Sequence, residues 1–186
     1  MRMPICAIAL FGAVLVPALV LAAPPEAGTL LGVFVGRAAD DPSLGGKLEQ
    51  RDIVMEIAKH GQQGLRVSWN NVTLVDGRRD VPGVKFRRDE LLLAPAGKRN
   101  FYLAGLGYDP FTEKQEPDAV AGDTLRWGVV AGESLHIYAF SILDDGSYEL
   151  QITVRRPEGD GVRLEFERIV DGEVRRRMIG HAVRAD

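Results

Sequence analysis

Between Tyr148 and Phe166 apolar and polar residues alternate with a period of two, broken by Asp-Gly, and no other feature of the sequence limits the fold so strongly. Tyr148, Leu150, Ile152 and Val154 interleave with Glu149, Gln151, Thr153 and Arg155; Val162, Leu164 and Phe166 interleave with Arg163, Glu165 and Glu167. Successive side chains of a strand point to opposite faces, so each run offers one face to a core and one to water. Asp145-Gly146, Asp160-Gly161 and Asp171-Gly172 punctuate these runs, and Asp76-Gly77 repeats the signal after Leu74-Val75. This dipeptide supplies the positive φ angles of tight hairpin turns. The pattern predicts an all-β chain, a meander of adjacent antiparallel strands, with Leu150, Ile152, Leu164 and Phe166 inward. Ten such runs fall between residues 30 and 169, and 173 to 183 makes an eleventh. One or two of the weaker middle runs are expected to be a single bent strand.

An open meander of that length exposes two edges, and closure removes both. With the first strand Leu31-Gly32-Val33-Phe34-Val35-Gly36-Arg37, the hairpin ladder and its size, the chain resembles the calycin superfamily, the lipocalins and fatty-acid-binding proteins, at the level of architecture. The resemblance implies one up-and-down β-barrel of about 8 to 10 strands around an apolar cavity. It departs at Gly32, which Val33-Phe34 follows where that family carries Gly-x-Trp, and in having no disulfide. The ligand is therefore left open. An outer-membrane barrel would carry aromatic girdles and an apolar outside. Thirteen aromatics are few for that, and the chain ends in Arg184-Ala185-Asp186. A sandwich would need longer crossovers than most connections here provide.

Residues 1–22 read as a signal peptide. Arg2 gives a short positive start, Ile5 to Leu21 is an almost unbroken apolar run, and Val20-Leu21-Ala22 offers small or apolar residues to the peptidase. Cleavage is expected after Ala22, because one residue later Pro24 would follow the scissile bond. An uncleaved anchor is the alternative, from a run at the short end of what spans a bilayer. Either way residues 23–186 are expected to be a single exported domain, periplasmic or secreted. Arg2 and the only cysteine, Cys6, leave with the signal, so 22 basic groups face 26 acidic ones in a domain without thiols. Cysteine nucleophiles, thiolate metal sites and iron–sulfur clusters are thereby excluded. An acidic balance also argues against nucleic acid as the partner.

No motif for catalysis, metal or cofactor stands out, and neither metal nor cofactor is expected. His60, His136 and His181 are too dispersed for a spacing-based metal motif; only convergence inside a barrel would make them one. Ser134, in Gly132-Glu133-Ser134-Leu135-His136, lacks the second glycine of a nucleophile elbow. Asp40-Asp41, Glu113, Glu116, Asp118 and Asp123 lack the spacing of a calcium loop, and Gly105-x-Gly107 lacks the lysine and helix of a phosphate loop.

Side-chain parity is more informative. Arg37 shares a face with Leu31, Val33 and Val35, and Arg176 with Val174, Met178 and Ala182. If those faces are inward, each is a cation in an apolar wall, costly unless an anion meets it. First and last strands adjoin in a closed barrel, so Arg37 and Arg176 are candidates to hold the carboxylate of an amphiphile, as basic residues do in the fatty-acid-binding proteins the chain resembles. The alternative places both in water. Trp69, on the face of Leu65 and Val67, together with His136 and Tyr138, completes the candidate ligand-binding set, and Tyr108 and Phe111 mark the segment 107–122 as a candidate lid. The reading is an exported barrel that binds a small apolar or amphipathic molecule and is not an enzyme. An interaction or inhibitor protein acting through loops at the barrel mouth is the alternative, and a barrel enzyme using His136 and Tyr138 as acid and base is a third. Oligomeric state is open.

Overall fold

The computed structural model describes residues 27–45, 48–97, 100–105 and 117–185. Ten strands follow one another among these residues: β1 Gly32–Asp40, β2 Gln50–His60, β3 Gly64–Thr73, β4 Lys85–Pro95, β5 Phe101–Ala104, β6 Leu125–Ala131, β7 Ser134–Ile142, β8 Tyr148–Glu158, β9 Gly161–Val170 and β10 Glu173–Arg184. Each pairs antiparallel with its neighbour in sequence, and β1 pairs with β10, so the sheet closes into an up-and-down barrel. The runs at 83 to 88 and 90 to 94 are one strand, β4.

Two of the four Asp-Gly turns keep the expected form, while Asp145-Gly146 lies in a longer loop with only Gly146 at positive φ and Asp160-Gly161 is shifted by one residue. Asp76-Gly77 and Asp171-Gly172 adopt positive φ at both residues, 52° and 74° in the first and 50° and 82° in the second, as tight two-residue hairpin turns demand. Between β8 and β9 the loop is Gly159-Asp160, with Gly159 at φ 60°, and Gly161 is already in its strand. There it is needed for another reason: a Cβ at Gly161 would meet the Ala182 carbonyl oxygen at 2.1 Å.

The barrel has a dry end and a polar end. Inward residues of the dry end form one cluster that includes Phe34, Ile57, Val67, Leu93, Leu135 and Val162, all nearly without exposure. Burying each such side chain contributes roughly 1.5–3 kcal/mol. A 3-10 turn, Ala27–Leu30, lies against β7 and β8 and drives Leu30 into the cluster, closing this end. Arg184, near the end of β10, fixes the turn by donating to the carbonyl oxygens of Leu31 and Thr29 while its guanidinium covers the Phe34 ring at 4.9 Å.

The inward face of β8 is the reverse of the sequence expectation. Leu164 and Phe166 face in, but Leu150 and Ile152 face out, and Gln151, Thr153 and Arg155 line the interior. A two-residue turn places residues of opposite parity directly across from each other, here Thr153 against Phe166 and Arg155 against Leu164, and directly opposed side chains share a face. Once β9 points Leu164 and Phe166 inward, β8 must turn its polar face in. Other outer positions are charged, as in the Glu56–Arg66–Glu90 ladder across β2, β3 and β4, so the outward apolar residues form no continuous belt.

Candidate functional site

Above the dry core the polar end holds a cavity of about 370 Å³, within the range of small-ligand sites. Its floor is apolar, with Met55, Ile137 and Leu164, while its wall carries Arg51, Arg87, Arg126, Arg155, Arg168 and Arg176. Among the described residues the wall is incomplete beside β5. That strand pairs only three residues with β4 and three with β6, so on this edge Lys85 to Leu91 of β4 has no strand partner among the described residues. Arg87, Asp89 and Arg126 lie at the gap.

The arginines differ in how they are matched. Arg176 donates to Asp40 at 2.7 Å and to Glu49 at 2.6 Å, and Arg168 donates to Glu149 at 2.6 Å. Arg51 reaches Glu49 at 3.4 Å. Arg87 and Arg126 share Asp89 at 3.7 and 3.9 Å, beyond hydrogen-bonding distance.

Arg155 is unlike the rest. Its side chain crosses the lumen from β8, with Nε 2.7 Å from the Met55 sulfur and the guanidinium 5.4 Å from the Trp69 ring centre. The residue is 4% exposed, and Nη1 has no hydrogen-bond partner among the described residues. A thioether is a weak acceptor and an aromatic face a partial substitute for an anion. Burial pushes the Arg155 pKa down to about 10, so the group is still a cation at neutral pH. An uncompensated buried cation is costly, and a chain retains one at the cost of stability.

Trp69 and Arg176 line this cavity. Arg37, His136 and Tyr138 do not. Arg37 is outside the barrel, its guanidinium 2.9 Å from Asp52, because Phe34 and Ala38 are the buried residues of β1 and the odd positions, Val33 and Val35 included, face away. It therefore does not meet Arg176. His136 and Tyr138 are also outside: in β7 Leu135, Ile137 and Ala139 face in, and Tyr138 stacks on the outer face of β6 with its ring 5.2 Å from that of Trp127. Both faces of β7 are apolar, so alternation there could not show which was inside. The three histidines do not converge, since His60 ends β2 and His181 is paired on the outer surface near Glu158. Tyr108, Phe111 and residues 1–22 lie outside the described residues. Arg155, Arg126, Arg87, Arg51 and Arg168 were not singled out from the sequence. Only the parity argument applied to Arg155 with Thr153 and Gln151 opposite the apolar face of β9 could have found one of them.

The acidic partners make the polar end sensitive to acid. The hydrogen bond from Arg176 holds the Glu49 carboxyl below its ordinary value near 4.5, against burial; for Glu149 burial raises the pKa but the bonds from Arg168 and Gln151 outweigh it. A carboxyl lowered in the folded state stabilises above its unfolded value, and that contribution disappears as pH falls through the folded one. The urea midpoint is expected to be flat from about pH 7 to 5 and to fall below about 4.5, with a shallower fall in Glu49→Gln. A midpoint that rises on acidification would contradict this assignment.

No family model and no curated protein matches the chain. Among solved structures, the S-type phycobiliprotein lyase CPES from Guillardia theta is similar over 86% of this chain and 90% of its own, at 9% identity and a TM-score of 0.35. At those values the likeness carries nothing about a ligand.

Proposed function

We propose that this chain is an exported binding protein whose barrel holds a small amphipathic molecule with a negatively charged head. The observation that supports this reading is Arg155, a cation buried in the lumen with an unpartnered Nη1, directly beside an apolar floor. A carboxylate or similar anion there would supply the charge-assisted hydrogen bonds that the protein leaves unmade. An apolar tail against Met55, Ile137 and Leu164 would add roughly 0.8 kcal/mol per methylene removed from water. With so many arginines on the wall, the amphipathic alternative is preferred over a wholly apolar ligand. Export is supported by the apolar run of residues 5 to 21 behind Arg2 and the small residues before Ala23.

The test uses protein isolated from the envelope fraction of cells expressing the full chain, where processing is expected to give a mass beginning at Ala23. In a Trp127→Phe background Trp69 is the only remaining indole, and its emission is followed during titration with decanoate and decanol. Decanoate should bind and shift the emission, with decanol at least tenfold weaker. Equal affinity would remove the anion from the proposal, and no binding by either at about millimolar concentration, a free energy near −4 kcal/mol, would overturn it.

A further inference from the structure

Resting on that reading, we infer that the ligand is a dianion with its two acid groups apart, one at Arg155 and the other at the gap beside β5, between Arg87 and Arg126. The six arginines of the wall meet four carboxylates among the described residues, Asp40, Glu49, Asp89 and Glu149. Glu165 also borders the cavity, but its carboxylate is held on the outer face by Arg163 at 2.7 Å. Among the described residues two positive charges are therefore left over, at Arg155 and between Arg87 and Arg126. Arg176 and Arg168 are closely paired, and Arg51 shares Glu49 with Arg176, whereas Arg155 has no carboxylate. Arg87 and Arg126 divide the single charge of Asp89 at distances too long for a hydrogen bond. The two unmatched positions differ in kind. Arg155 is sunk against Met55 and Trp69, where a bound group is stripped of water. Arg126 is about one-third exposed and Arg87 two-thirds exposed, at a mouth where a charged group would remain partly solvated. A molecule with one acid in each place, and apolar atoms between, matches both the excess charge and the division of the site into a deep and an outer part.

The experiment titrates the envelope-derived protein calorimetrically with hexanedioate, decanedioate and tetradecanedioate, with the corresponding monoacids, and with decyl phosphate, in the wild type and in Arg126→Met, Arg87→Met and Arg155→Met. One of the diacids should bind at least tenfold more tightly than its monoacid. Arg126→Met or Arg87→Met should bring that diacid toward the monoacid's affinity while changing the monoacid by less than twofold, and Arg155→Met should weaken both. Equal affinity of every diacid and its monoacid would overturn the inference and leave the single-headed ligand standing. Tighter binding of decyl phosphate than of any diacid would also overturn it, since both charges would then sit at one point. Absence of binding by all the ligands would overturn the underlying reading, and the inference with it. Arg87 is at the rim and largely exposed, so its variant keeps the outer position testable if Arg126→Met fails to fold.

Discussion

Replacing Phe34 by alanine is expected to cost about 3–5 kcal/mol of folding stability, the range for emptying a large aromatic site in a core. Phe34 is 1% exposed and inward on β1, in the cluster that joins β1, β2, β3, β4, β6, β7, β9 and β10 at the dry end. Its ring also carries the guanidinium of Arg184, which holds the carbonyl oxygens of Thr29 and Leu31 and so ties the closing turn to the barrel. Removing the ring leaves a cavity under that turn and takes away the surface on which Arg184 rests. Urea unfolding of the processed chain measures the loss. A change below about 1 kcal/mol would mean that the core is not centred at this end of the barrel.

Arg155→Met should act in the opposite sense on stability. Replacing a buried ion pair by apolar residues of similar volume is often neutral or stabilising by about 1–4 kcal/mol, because no charge then has to be taken out of water, and the same desolvation argument applies to a buried ion that has no partner to strand. Methionine has nearly the length needed to reach Met55 and Trp69, and among the described residues Arg155 has no carboxylate partner that its removal would strand. Without ligand, the variant is expected to unfold at the same or higher urea concentration than wild type, while decanoate binds about tenfold or more weakly for want of a charge-assisted bond. A loss of more than about 1 kcal/mol would identify Arg155 as a structural residue, and the cavity would lose its anchor.

The alternation, the glycine turns and the number of runs are local properties of the chain, and they determined by themselves that it is all-β and an antiparallel up-and-down meander. Period-two alternation fixes that a strand has two different faces, and Asp-Gly at positive φ fixes where neighbouring strands reverse. Which face is inside is not local. For β9 and for most of β10 the apolar face is inward, and a sequence reading finds it: Leu164, Phe166, Met178 and Arg176 are where parity places them. Beyond Arg176 the register shifts at a bulge between Val174 and Arg176, so the shared face with Val174 does not survive. For β8 the apolar face is outward, since pairing across a two-residue turn with β9 and across a longer loop with β7 decides the parity of every residue on it. One strand's preference is worth less than the agreement of two neighbours, and Arg155 enters the lumen with the rest of that polar face. The candidate site inherits this order of causes. Trp69 and Arg176 were legible because their strands obey their own patterns, whereas Arg155, Arg126 and Arg87 become a group only when ten strands close and a short β5 leaves Lys85 to Leu91 of β4 without a strand partner on that edge among the described residues. Closure into a ring is a property of the whole sheet, and it alone decided that a chain with a slight acidic excess has a cationic interior.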